Sequence, residues 1–432
     1  MSKEKKQAAE GFTRRDFMKT SLIGAAGVVA GGAVGPTILR AQPKPVRIGC
    51  VGTHSGPVGM SGEAAFRAVK LWTDDVNQRG GLLGSKVESI FRDSQGKPEE
   101  GARIARDYAA SGFDFIFAYG SSAEAFAVNA ISKELKKPIF VGLGTTEFTA
   151  DPKVRSPYCF RASSNCLFDS VDSAKYVAAK SKELGLTRWY TISEDYAYGR
   201  DTINIFIEFF KKYNPKVEII GQAWPKLGEP DFTGHITAIS NARPHGVFAV
   251  LFAADAVSFA KQGSMYGVFD QAKFFLKDQM DYSVIEAIVK SVGKLRAGDY
   301  AGVRYLRSFP DTKANHDFCD AHVKAYNGAR PQIFSWSNYS GCLFLEAAVK
   351  KAKTTDTEAV IKALEGLTVQ APTALGKNGT VTMRARDHQI IYHALGWGVT
   401  ISEEPYLKDV VACNWDELLA EETEWLKKKG WL

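Results

Sequence analysis

The chain of 432 residues lacks the cysteine patterns of metal-binding and redox sites. Its six cysteines lie far apart and form no Cys-x-x-Cys pair, which argues against zinc ribbons and thioredoxin-type centres. Cys50 falls inside an apolar strand pattern, where it fits a small buried hydrophobic residue. Cys319 and Cys342 lie on two successive predicted helices, and the sequence leaves a disulfide between them open.

Catalytic motifs are also missing. The chain contains no Gly-x-Ser-x-Gly elbow, no His-Glu-x-x-His and no Gly-x-x-x-x-Gly-Lys loop. Its seven histidines are dispersed, and His316 and His322 do not have the spacing of metal ligands one helical turn apart. The glycine-rich turn at residues 80–84 lies between a helix and a strand, the reverse of a dinucleotide fingerprint. We therefore predict no enzyme activity, no catalytic residues, no metal and no cofactor.

The chain has only one long apolar stretch, from Ser21 to Ile38, and this stretch follows the pair Arg14-Arg15. It contains five glycines before Pro36, which makes it a poor membrane-spanning helix. Two arginines before a mildly apolar segment are typical of a twin-arginine export signal. We expect residues 1–41 to be cleaved on export to the periplasm, leaving a mature chain that begins near Gln42. An uncleaved membrane anchor is the alternative.

The charge of the chain gives no indication of a nucleic-acid partner. The formal net charge is +7, but residues 1–41 hold seven Lys or Arg and three Asp or Glu, so the remainder carries +3. An apolar content of 45% is typical of a packed globular protein. The remaining length of about 390 residues exceeds the size at which one hydrophobic core keeps growing, so two lobes are expected.

From Val46 onward, predicted strands alternate with helices of about 10 to 16 residues. This alternation predicts an α/β protein with doubly wound parallel sheets covered on both faces, which bind ligands at the carboxyl ends of their strands. The predicted strands are 46–51, 86–92, 113–118, 139–141, 188–192, 217–220, 247–252, 273–276, 379–383 and 389–399. The predicted helices are 62–77, 99–110, 123–135, 169–184, 200–213, 236–241, 255–266, 315–326, 337–352 and 357–367.

Short motifs follow one another in a fixed order along residues 46–305. They are Ser55-Gly56-Pro57, Gly80-Gly81-Leu82-Leu83-Gly84, Asp93-Ser94-Gln95, Gly120-Ser121-Ser122, Gly142-Leu143-Gly144-Thr145-Thr146, Tyr158-Cys159-Phe160-Arg161 and Asp195-Tyr196-Ala197-Tyr198-Gly199. In this order, behind an export signal, they resemble the periplasmic branched-chain amino-acid-type substrate-binding proteins of ABC transporters, which include the Leu/Ile/Val-binding proteins.

The resemblance implies a type I periplasmic binding fold, with two lobes joined by a three-crossover hinge around a ligand cleft. Residues 42–160 and 301–385 would form the N-terminal lobe, and residues 161–300 and 386–432 the C-terminal lobe. It also implies that a monomer captures a small ligand (an amino acid or a related carboxylate or amide) by hinge closure. The partner would be the membrane permease of an ABC importer. A ligand-sensing receptor module or a periplasmic enzyme on the same scaffold is the alternative.

Hydroxyl residues stand where predicted strands lead into helices. Ser121 and Ser122 lie at a helix N-terminus, where free N–H groups and the helix dipole favour an anion, and Thr145 and Thr146 repeat this arrangement one strand later. The resemblance implies that these hydroxyl residues bind the carboxylate and amino group of the ligand, and that Tyr198 reaches the ligand from the second lobe. Ordinary helix N-caps, and a core or rim tyrosine, are the alternative interpretations.

The sequence departs from the family pattern at two places. Ser61 stands where the family often has an aromatic residue, and Gln279 matches the acid that often pairs with the α-ammonium group of an amino acid. Asp278 lies one residue away, in the loop predicted after strand 273–276. If Gln279 faces the cleft, a buried ammonium group would lack its counter-charge, which is costly. These residues complete the predicted site, and they favour a carboxylate or amide ligand without an α-amino group.

Overall fold

The computed structural model describes residues 44–56, 59–142, 144–145 and 147–432. The predicted export signal lies outside these residues, and so does Thr146. In the described part of the chain, no helix is both long enough and apolar enough to cross a membrane.

The first sheet has five parallel strands in the order β2-β1-β3-β4-β5. They are β1 Val46–Gly52, β2 Val87–Asp93, β3 Phe115–Tyr119, β4 Ile139–Val141 and β5 Cys159–Arg161. Alternate residues of β3 join two different hydrophobic clusters, Phe115 and Phe117 in one and Ile116 and Ala118 in the other. The sheet is therefore covered on both faces, which explains why its strands read as nearly continuous apolar runs.

Helices from two parts of the sequence cover this first sheet. They are α1 Gly59–Gln78, α2 Pro98–Ala110, α3 Ser122–Leu135 and the short α4 Glu147–Ala150, then α10 Lys313–Ala325, α11 Ile333–Ala352 and α12 Thr357–Leu364 from later in the chain. The packing of α11 against α1 brings the later segment back to the first lobe. Trp72 of α1 and Phe344 of α11 lie in the hydrophobic cluster that the two helices share with β1 and β3.

The second sheet has seven strands in the order β15-β14-β10-β9-β8-β6-β7. They are β6 Arg188–Ser193, β7 Glu218–Ala223, β8 Gly246–Val250, β9 Lys273–Met280, β10 Tyr300–Val303, β14 Gly396–Thr400 and β15 Leu407–Ala412. Strands β6 to β10 are parallel, whereas β14 and β15 join antiparallel. The helices of this lobe are α5 Cys166–Glu183, α6 Ala197–Tyr213, α7 Thr233–Ala242, α8 Ala253–Met265, α9 Tyr282–Val292 and α13 Trp415–Lys429.

A small antiparallel sheet contains β11 Thr368–Gln370, β12 Thr380–Met383 and β13 Ile390–Ile391. The chain passes between the two large sheets three times, after β5, after β10 and between β13 and β14. The buried side chain of Gln389, just before β13, is hydrogen-bonded to the first crossover: its amide donates to the Ser163 carbonyl at 2.7 Å and accepts from Asn165 at 3.3 Å.

Several predicted boundaries are wrong. Strand β9 runs to Met280, so Asp278 and Gln279 belong to a buried strand rather than to a loop. The predicted strand 389–399 is two strands in different sheets, and helix α11 begins at Ile333, four residues before its predicted start. The cysteines at 319 and 342 are both free, so no disulfide joins α10 to α11.

Candidate functional site

A cleft of about 570 Å³, partly open to solvent, lies where the carboxyl ends of both large sheets face each other. The residues that line it are Thr53, Ser61, Gly62, Tyr119, Gly120, Ser121, Ser122 and Phe334 from the first lobe, and Tyr196, Tyr198, Leu227 and Phe252 from the second. Aromatic and apolar side chains make up half of this set. None of the described residues that line the cleft carries a charge.

Ser121 lies in the turn between β3 and α3, and it both lines the cleft and caps the helix. Its hydroxyl oxygen accepts a hydrogen bond from the backbone N–H of Glu124 at 3.3 Å, and its own N–H donates to the Glu124 carboxylate at 2.8 Å. This reciprocal pair is a capping box, so the helix-cap interpretation of Ser121 applies together with its place in the cleft. Ser122 and Ser61 are buried and lie in the same wall.

Thr145 lies in the turn after β4 and does not line the cleft. The residue is 2% exposed, and its hydroxyl has no hydrogen-bond partner among the described residues. Its carbonyl accepts a hydrogen bond at 2.8 Å from the buried guanidinium of Arg161, whose pKa is lowered by burial to about 10. A buried hydroxyl without a partner is unusual, because each such group costs about 1–3 kcal/mol. A ligand role for Thr145 stays a prediction.

Tyr198 lies in the first turn of α6, and its hydroxyl makes three hydrogen bonds to other side chains of the protein. The oxygen accepts hydrogen bonds at 2.6 Å from both Lys277 and Arg304, and the proton is donated to Asp278 at 3.1 Å. Burial raises the pKa of Tyr198 well above its usual range. The ring therefore lines the cleft while the hydroxyl points into a buried ionic cluster.

This ionic cluster contains two acids and two cations. Arg304 lies 2.9 Å from Asp169 and 2.6 Å from Asp278, and Lys277 lies 3.2 Å and 3.0 Å from the same two carboxylates. Burial would raise the pKa of Asp169, but the charges of Arg304 and Lys277 outweigh burial and lower it. Asp169 lies in the first turn of α5, just after the first crossover, and Arg304 follows β10 at the second, so the cluster joins two of the three crossovers.

Asp278 and Gln279 do not line the cleft. The charge of Asp278 is already balanced by Lys277 and Arg304, and the side-chain oxygen of Gln279 is buried with no partner among the described residues. Four of the predicted site residues, Ser61, Ser121, Ser122 and Tyr198, line the cleft. Thr145, Asp278 and Gln279 are buried and do not line it.

The sequence interpretation missed the aromatic walls. Phe252 follows β8 and Phe334 opens α11, and their rings meet edge to face across the cleft, 5.8 Å apart. The backbone N–H of Phe252 donates at 2.6 Å to Glu194, whose pKa burial raises well above its usual range. Phe252 could have been found, because it occupies a strand end in the same way as Ser121. Phe334 gives no such signal, since it comes from a distant helix.

Groups of His, Cys, Asp and Glu that could hold a metal ion were not found within the described ranges. Three carboxylates lie close to cleft residues: Asp278 is paired with cations, Glu194 accepts a backbone N–H, and Glu124 accepts from Thr53 and Ser121. The arrangement suits reversible binding of a small molecule between two lobes.

Comparison with known proteins shows the family to which the chain belongs. Residues 45–395 match the family model described as periplasmic binding protein. A Leu/Ile/Val-binding protein homolog 4 from Brucella abortus (strain 2308) is 24% identical over 366 residues, which cover 81% of this chain and 82% of the relative. The chain belongs to the periplasmic binding protein family, and the predicted fold and solute-binding class are confirmed.

Solved structures show the same fold. An ABC transporter substrate-binding protein from Sphaerobacter thermophilus is 25% identical, with a TM-score of 0.72 over 85% of this chain and 98% of that one. A solute-binding protein from Rhodopseudomonas palustris BisB5, solved with 3,4-dihydroxybenzoic acid, is 22% identical with a TM-score of 0.74, covering 85% and 96% of the two chains.

Proposed function

We propose that this protein is the solute-binding component of an ABC importer, and that its ligand is a small aromatic carboxylate without an α-ammonium group. The observation that carries this proposal is the cleft, which combines aromatic walls and hydroxyl groups with no charged side chain among its described lining residues. The protein would act as a periplasmic monomer without enzyme activity, exported by its twin-arginine signal.

The shape of the cleft favours a flat apolar ligand body. Phe252 and Phe334 meet edge to face, and Tyr119, Tyr196 and Tyr198 add further ring surface. Aromatic side chains bind aromatic ligands through large buried area and through edge-to-face or offset contacts. The hydroxyls of Ser61, Ser121 and Ser122 provide neutral donors for the carboxylate.

The engagement of Asp278 argues against an α-amino acid. An ammonium group needs a carboxylate partner when it is buried, and Asp278 already balances Lys277 and Arg304. Drawing Asp278 toward a ligand would leave two buried cations sharing Asp169 alone. A ligand without an ammonium group avoids that cost.

The ligands of similar proteins support this class. The names of the solved relatives from Rhodopseudomonas palustris include complexes with 3,4-dihydroxybenzoic acid, benzoate and 4-hydroxybenzoate. The second candidate ligand is a branched-chain amino acid, which the names of the Leu/Ile/Val-binding protein homologs favour.

Delivery would follow closure of the two lobes over the ligand. Because both lobes line the cleft, a bound ligand contacts Ser121 on one side and Phe252 on the other, which stabilises the closed state over the open one. The closed form would then dock on the membrane permease of the importer.

Thermal-shift screening of the mature protein, refolded after unfolding to remove bound ligand, tests the proposal. The panel contains benzoate, 4-hydroxybenzoate, benzamide, urea, leucine and the keto acid of leucine. A ligand at 100 times its Kd stabilises the protein by about 2.7 kcal/mol, which gives a measurable shift. We expect stabilisation by the aromatic carboxylates. Stabilisation by leucine alone would instead establish the amino-acid candidate.

A further inference from the structure

The first-lobe wall contains a buried acid, Glu124, which lies directly behind the cleft and is 5% exposed. Its carboxylate accepts hydrogen bonds from the Thr53 hydroxyl at 2.8 Å, from the Ser121 N–H at 2.8 Å, and from the Ser94 hydroxyl. These three groups come from the loops after β1, β2 and β3. Glu124 thus holds three strand ends together beneath the ligand.

Thr53 lines the cleft, and its hydrogen bond to Glu124 decides whether its hydroxyl can act toward a ligand as a donor or as an acceptor. A threonine hydroxyl has one proton and two lone pairs. Since the proton is directed at Glu124, Thr53 has only lone pairs left for a ligand and accepts hydrogen bonds without donating them. The sequence indicates only a polar residue at this position, because the direction of its proton depends on Glu124, 71 residues away.

Ser121 differs from Thr53 in this respect. Its backbone N–H donates to Glu124, but its hydroxyl oxygen accepts from the Glu124 N–H and keeps its own proton for a ligand. A ligand carboxylate placed against the Ser121 hydroxyl therefore finds a donor, whereas one placed against the Thr53 hydroxyl meets only lone pairs.

We infer that Glu124, acting through Thr53, makes this end of the cleft specific for a hydrogen-bond donor, so that the ligand is a hydroxylated aromatic carboxylate whose ring hydroxyl meets Thr53. This inference rests on the proposed function and adds the substituent that the ligand carries. Glu124 is a positioning residue, because it sets the proton direction of Thr53 without lining the cleft itself.

The test compares ligands that differ only in one donor. Kd values are measured by calorimetry on the ligand-stripped mature protein for 3- and 4-hydroxybenzoate and for the corresponding fluorobenzoates, in which fluorine replaces the hydroxyl but cannot donate. We expect at least one hydroxybenzoate to bind about tenfold or more tightly than its fluoro partner, because an unpaired buried acceptor is costly.

Three variants then locate the source of this ratio. Glu124→Leu removes the acceptor of the Thr53 proton, which frees that proton for a ligand, so the hydroxy-to-fluoro ratio falls to within about threefold. Glu124→Gln does not serve here, because the oxygen that accepts from Thr53 also accepts the Ser121 N–H, and the amide oxygen would keep both bonds. Thr53→Val removes the ligand's acceptor and lowers the ratio in the same way, whereas Thr53→Ser keeps it. Glu134→Leu is the matched control, because Glu134 lies on the same helix with its side chain exposed, and it leaves the ratio unchanged.

The outcomes separate the inference from the proposed function. Equal binding of hydroxy- and fluorobenzoates by the parent overturns the inference and leaves the proposed aromatic class intact. A ratio that survives both Glu124→Leu and Thr53→Val also overturns it. Absence of binding by every benzoate overturns the proposed function and the inference together. Each ratio compares two ligands on the same protein sample, so a partly unfolded variant still gives a valid result.

Discussion

The buried acids behind the two walls of the cleft have different hydrogen-bond partners. In the first lobe, the Glu124 carboxylate accepts hydrogen bonds from neutral groups of Thr53, Ser94 and Ser121. In the second lobe, Asp169 and Asp278 are matched by Lys277 and Arg304, and the Tyr198 hydroxyl is absorbed into the same cluster. The first wall retains polar groups that select a ligand, whereas the second presents mainly rings.

This difference indicates a division of roles. A charge-balanced ionic cluster is rigid when each member is fixed by several charge-assisted bonds, as Arg304 and Lys277 are here. The second-lobe cluster joins the start of α5 to the segment after β10, so it can hold the crossovers in register while the lobes close. The hydroxyls of the first lobe contribute recognition. The predictions below test these two roles separately.

The largest effect is expected from Arg304→Met. This change removes a cation that contacts Asp169 and Asp278, and it leaves two buried acids with Lys277 alone. Breaking a buried ion pair in this way costs about 3–5 kcal/mol. The free energy of unfolding, measured in urea, should fall by that amount.

Two comparisons make the Arg304 result specific. Arg106→Met removes an exposed arginine that pairs with Glu134, and it should leave the urea midpoint unchanged. The double variant Asp169→Asn/Arg304→Met restores charge balance and should recover part of the loss. A loss below about 1 kcal/mol for Arg304→Met would contradict the buried cluster as described.

A smaller effect is expected from Thr145→Val in the first lobe. The Thr145 hydroxyl is buried without a described partner, so its removal should not lower the free energy of unfolding. If the closing lobe or the ligand supplies the partner, binding should weaken by about 1–3 kcal/mol. Thr373→Val is the matched control, because Thr373 is also buried with no described partner for its hydroxyl but lies in the connection between β11 and β12 rather than at a strand end of the first sheet. Unchanged ligand affinity in Thr145→Val would remove this residue from the site.

Much of the fold could be predicted from the sequence. The parallel strands of both lobes are apolar runs followed by helical periodicity, and short motifs mark their ends, so the strand at 115–119 and the helix after Ser121 were predicted closely. The polar end of β9 was not predicted, because two adjacent charged residues, Lys277 and Asp278, are typical of a loop. Their burial depends on Arg304 and Asp169, which are distant in the sequence. Buried pairing across about 100 residues leaves no local pattern.

The candidate site was predictable to the same extent. Ser121 and Tyr198 belong to motifs at strand ends, and both line the cleft. The hydrogen-bond direction of Thr53 and the position of Phe334 depend on contacts with distant segments. The sequence gives the residue type at each position, but the acceptor of its hydrogen bond is determined by the fold.

The smallest effects concern pH, where buried acids in the two lobes should act with opposite sign. In the first lobe, burial would raise the pKa of Glu346, but hydrogen bonds from Arg79, Lys350 and Trp72 outweigh it and lower the pKa to about 2. The unfolded chain therefore binds a proton at higher pH than the folded one. Stability from Glu346 is present above pH 4.5 and is lost as the pH falls toward about 2.

In the second lobe, burial raises the pKa of Asp255 from 3.8 to about 6, although its carboxylate accepts the Gly228 N–H at 2.8 Å. Here the folded state holds the proton more tightly, so stability falls as the pH rises from 3.8 to about 6. Urea unfolding from pH 3 to 7 should show Glu346→Gln losing most stability, about 1–2 kcal/mol, at the upper end, since Arg79 and Lys350 are half-exposed. The free energy of unfolding of Asp255→Asn should instead rise relative to that of the parent as the pH rises toward about 6. The reason is that the asparagine oxygen still accepts the Gly228 N–H but the side chain does not titrate. Parallel pH curves for the parent and Asp255→Asn would show that this acid titrates normally in the folded lobe.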